Sequence, residues 1–94
     1  MELLKAQTTD TAFEKHLPVA VRLNEDTVKV VVGSVIHPMT EEHHIAFIGI
    51  DTEDGIQLVF PHGQPEAIFR TTSKVLAVYA YCNLHGLWKT VMQH

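Results

Sequence analysis

The chain reads as an all-β sandwich, one domain over residues 1–94, and three observations predict it. Short runs rich in Val, Ile, Phe and Tyr recur at close intervals, turn-forming residues separate them, and nothing sustains a helical period. Short strands broken by frequent turns are the pattern of a sandwich. Strands are expected at Val19–Leu23, Thr27–Val32, His44–Ile50, Ile56–Phe60, Glu66–Arg70, Val75–Tyr81 and Leu87–Met92. The punctuation justifies them in order. Asn24-Glu25-Asp26 parts the first two strands, and Gly33-Ser34 ends the second. His37-Pro38 marks a strand end, because proline cannot donate to a ladder. His43 opens the third strand. Asp54-Gly55 between two apolar runs is a hairpin signal. Pro61-His62-Gly63-Gln64-Pro65 precedes the fifth strand, Cys82 ends the sixth, and residues 1–12 form a short arm.

The 94 residues are 46% hydrophobic, which suffices for a single compact core. A domain this small is only moderately stable by itself, so a bound metal or a homo-oligomer interface would add to it. The net charge of −4 and the absence of a basic stripe argue against nucleic acid as a partner. No apolar run reaches the roughly 18 residues that span a bilayer, and Met1–Ala6 lacks a signal-type apolar core. One cysteine cannot form an internal disulfide, which fits a reducing compartment. A cytoplasmic protein without a membrane partner is expected.

The chemistry concentrates in Cys82-Asn83-Leu84-His85-Gly86-Leu87-Trp88. A thiolate and an imidazole at that spacing can bind one soft or borderline transition metal. Taken alone, Cys82-x-x-His85 is a weak motif, since a buried cysteine beside a loop histidine explains it equally well. His16 lies upstream in Glu14-Lys15-His16, and His37 and His43 in His37-Pro38-Met39-Thr40-Glu41-Glu42-His43. Scattered loop histidines are common, but the joint pattern is stronger than its parts. Four histidines and one cysteine would supply five ligands and leave a position open, which suits a redox iron better than a closed structural zinc. All these residues fall at strand ends or in loops, where several can converge at one end of a sandwich. His44, next to His43 on a strand, should face the other way. Trp88, Met39 and Met92 read as apolar packing, and backbone amides near Asn83 and Leu84 are candidate donors to the Cys82 sulfur.

Glu14-Lys15-His16, His37-Pro38-Met39-x-x-x-His43 and Cys82-Asn83-x-His85-Gly86-x-Trp88 together resemble the superoxide reductases, including the neelaredoxins and the iron-binding domain of desulfoferrodoxin. Order and spacing match from about Glu14 to Lys89, and Gly63-Gln64-Pro65-Glu66-Ala67 looks like a turn of that family. The resemblance implies an immunoglobulin-like seven-stranded β-sandwich holding a mononuclear non-haem iron that cycles between Fe2+ and Fe3+. It makes His16, His37, His43 and His85 equatorial ligands and Cys82 the axial thiolate. Glu14 becomes the carboxylate that binds the ferric iron, and Lys15 the positive charge beside the open position. The implied reaction is one-electron reduction of superoxide to hydrogen peroxide. One cysteine cannot build a four-thiolate iron site, so an external donor such as rubredoxin is implied. The family often has a tyrosine after the histidine matched by His43, then a glutamate and a tryptophan. Here His44, Ala46 and Phe47 stand in that stretch, which bears on packing and removes no ligand.

A rival from another class is a cupredoxin-like electron-transfer module without catalytic turnover. Cys82, His85, Met92 and His37 supply its residue types. The His85–Met92 spacing is long for it, and it leaves His16 and His43 unused.

Overall fold

The computed structural model describes residues 17–33 and 39–92. Among them run seven strands and no helix: β1 Pro18–Asn24, β2 Thr27–Val32, β3 Ile45–Thr52, β4 Gly55–Val59, β5 Glu66–Arg70, β6 Val75–Cys82 and β7 Gly86–Val91. They form a three-stranded sheet in the order β1-β2-β5 and a four-stranded sheet in the order β4-β3-β6-β7, with antiparallel pairing throughout. The all-β, seven-stranded expectation holds. In a constant-type immunoglobulin domain the fourth strand joins the sheet of the first, second and fifth; here it pairs with β3 in the larger sheet.

Alternation along the strands builds the core. Val28, Val30 and Val32 of β2 point inward and Thr27, Lys29 and Val31 outward. Ala67 and Phe69 join them from β5, and Ile45, Ile48, Ile50, Val78, Ala80 and Cys82 face them from the larger sheet. Strict alternation would not bury both Ile45 and Ile48. Ile45 pairs with Cys82 and Phe47 with Tyr81, so one extra residue, Ala46, is accommodated between them. This bulge restores the inward phase of β3 directly beside Cys82.

The turns differ in detail from the expected ones. Thr52 pairs with Gly55, so the β3–β4 hairpin turns at Glu53-Asp54 rather than at Asp54-Gly55. The Thr52 hydroxyl closes it, accepting the Asp54 N–H at 3.1 Å and donating to the Gly55 carbonyl at 3.0 Å. At the other end of β6, Cys82 pairs with Gly86 across the three-residue turn Asn83-Leu84-His85. Gly86 has φ of 86°, the left-handed conformation that closes such a turn. Hence Cys82 and His85 sit on opposite sides of one tight connection. Arg22 ties two loops at the far end, donating to the carbonyls of Glu25, Thr71 and Ser73 at 3.1, 3.0 and 2.8 Å.

Candidate metal centre

Cys82 ends β6 with no exposed surface, packed within the hydrophobic core. His85 is exposed at the close of the following turn, and its Nδ1 lies 3.7 Å from the Cys82 Sγ. His43 approaches from the connection before β3 and is half-buried. Its ring meets that of His85 edge-on, with centroids 5.1 Å apart and planes at 77°. One ligand atom from each of the three lies within 4.8 Å of the others. Two donors bound to one first-row ion at about 2.0–2.3 Å stand at most about 4.5 Å apart. The cluster therefore stands close to the spacing at which its donors can share one ion. A buried thiolate with two imidazoles suits iron, copper or zinc and not the oxygen-seeking magnesium or calcium.

Local hydrogen bonds explain the placement of His43. Its N–H donates to the Thr40 hydroxyl at 3.1 Å. Its carbonyl accepts the Thr40 N–H at 2.9 Å and the Thr40 hydroxyl at 3.1 Å. This closed turn, and not a strand, carries His43. The expectation that His43 opens the third strand is corrected: β3 starts at Ile45. His44 also precedes the strand. It lies outside the cluster, with its Nδ1 facing the carbonyls of Thr40 and Glu41 at 3.0 and 3.2 Å. A second correction concerns the sulfur. The Asn83 N–H donates to the His44 carbonyl at 3.1 Å, so it serves the loop before β3 and not the Cys82 Sγ.

Glu14, Lys15, His16 and His37 lie outside the described residues, so of the expected ligands the structure brings together His43, Cys82 and His85. Trp88 is buried in β7 opposite Ala80, as packing requires. Met39 and Met92 pack against the core. The Met92 N–H bonds to the Leu76 carbonyl, near the start of β6. Cys82 is six residues further along that strand, about 20 Å at about 3.4 Å per residue. This removes Met92 from any copper site built on Cys82. Sequence reading missed Thr40 and Asn83, whose polar groups hold the His43 loop; a threonine three residues before a ligand is the one local signal that pointed there.

The desulfoferrodoxin family model matches residues 8–91. A desulfoferrodoxin homolog of Archaeoglobus fulgidus is 42% identical over 93 residues, covering 96% of this chain and 73% of the relative. A superoxide reductase of Thermococcus kodakarensis is 40% identical over 100 residues, covering 85% of this chain and 87% of its own. The crystal structure of the superoxide reductase from Treponema pallidum superposes with a TM-score of 0.83 at 46% identity, covering 93% of this chain and 74% of that one. With the family model spanning nearly the whole chain and these relatives at 40–46% identity, the chain belongs to the desulfoferrodoxin family, as its three motifs led one to expect.

Proposed function

We propose that this protein is a superoxide reductase with a mononuclear iron held by His16, His37, His43, His85 and Cys82. The observation that carries the reading is the convergence of a fully buried cysteine sulfur with two imidazoles from separate connections. When bound, the iron supplies the single electron that, with two protons, converts superoxide to hydrogen peroxide. The chain's own residues set the conditions. Cys82 brings a charged, polarisable donor into a dry environment, where its charge is little screened. The Thr40 turn fixes the backbone of His43 before any ion arrives. His85 remains exposed, leaving an edge of the cluster within reach of an external one-electron donor such as rubredoxin. Lys15 attracts the anion, Glu14 is the carboxylate of the oxidised state, and water supplies the protons.

Turnover with reduced rubredoxin tests the reading. Under a steady flux of superoxide, iron-loaded protein should oxidise the donor and release about one peroxide per superoxide without oxygen. Oxygen release with no donor oxidation would make it a dismutase instead. A cytoplasmic setting agrees with the unpaired thiol, and fractionation of the native cells checks it. A homo-oligomer has in its favour the exposed Ile56, Leu58 and Phe60 along one edge of the larger sheet, and sedimentation decides it.

A further inference from the structure

The turn that carries Cys82 and His85 also carries a side chain that grips the loop of His43. The Nδ2 of Asn83 donates to the Glu42 carbonyl at 3.0 Å, and its Oδ1 accepts the His44 N–H at 2.8 Å. The Glu42 carbonyl belongs to the peptide unit before His43, and the His44 N–H to the unit after it. One primary amide thus spans both peptide units that flank His43. Among side chains only Asn and Gln present a donor and an acceptor side by side in this way. The Asn83 N–H adds a third bond to the same loop, at the His44 carbonyl.

Asn83 is itself exposed. Hydrogen bonds in competition with water add little to global stability. Their effect is local: they lock the offset between the loop that supplies one donor and the turn that supplies the other two. The three donor atoms already stand within 4.8 Å, so little loop ordering is left for metal binding to impose.

We propose that Asn83 is a positioning residue for the metal centre, its side-chain amide holding His43 in register with Cys82 and His85. This rests on the metal-binding reading above. Cobalt(II) titration of the metal-free protein tests it, with the thiolate-to-cobalt absorption band as the readout. A wild-type protein that gives no band overturns the metal reading and this inference with it. Given a wild-type band, Asn83→Ala should weaken cobalt binding about 10–100-fold and shift the band, as loss of a group that orients a ligand does. Asn83→Asp keeps the shape and the acceptor but loses the Nδ2 donor to Glu42; it should weaken binding in the same direction, and it carries the comparison if the alanine variant does not fold. In a His43→Ala background, the Asn83 substitution should cost nothing further, because it acts through His43. Wild-type affinity and band in the Asn83 variants would overturn the proposal, and so would an undiminished loss in the absence of His43.

Discussion

Cys82 belongs both to the hydrophobic core and to the donor cluster. A cysteine buried among Ile45, Val78 and Ala80 behaves as a small apolar side chain until an ion draws off its proton. The partnership of Cys82 and His85 was legible in the sequence only as a spacing; the structure adds the reason, a three-residue turn closed by glycine that returns the chain beside its start. The approach of His43 was legible only through the joint pattern and the family resemblance, since it comes from a loop some forty positions away. The role of the Asn83 side chain was not legible, because it acts on backbone groups whose meeting depends on how β3 and β6 pair; Thr40, three residues before His43, left only a local hint. Glu14, proposed as the carboxylate of the oxidised state, has a separable signature. Glu14→Ala should leave reduction of superoxide nearly intact and alter the visible spectrum of the oxidised protein; an unchanged spectrum removes Glu14 from the site.

At the scale of elements, two irregularities place the site. The bulge at Ala46 lets Ile45 face inward next to Cys82, and the left-handed Gly86 closes the turn that brings His85 back. The seven strands were legible because alternation and turn residues agreed along most of the chain. The start of β3 and the centre of the β3–β4 hairpin were not, because side-chain hydroxyls decide them: Thr40 closes the turn ahead of β3, and Thr52 shifts the hairpin by one residue. Gly86→Ala tests the turn. An L side chain in that conformation costs about 1–2 kcal/mol, so Tm should fall by about 4–16 °C in a domain of this size. Metal affinity should fall with it, since His85 is the preceding residue. Thermal unfolding of the metal-free and loaded forms measures both, and an unchanged Tm would show that the turn tolerates a side chain.

For the molecule as a whole, the charge of −4 opposes the approach of an anion, so capture of superoxide must rely on local positive potential. If Lys15 provides it, the wild-type rate constant should fall as salt is raised. Lys15→Ala should be slower at low ionic strength, by about tenfold or less, with a salt dependence that flattens or reverses. Stopped-flow mixing at several ionic strengths checks this, and identical slopes in the two proteins would end the steering role. The cluster of His43, Cys82 and His85 bears on every one of these expectations, and single-turnover spectroscopy addresses it most directly. Metal-free protein is loaded anaerobically with ferrous iron, mixed with superoxide, and followed in the visible. The account predicts a thiolate-to-ferric charge-transfer band that appears with about one peroxide per superoxide and is absent in Cys82→Ser. Iron that is not taken up, or that is taken up and leaves superoxide unreduced, would contradict it.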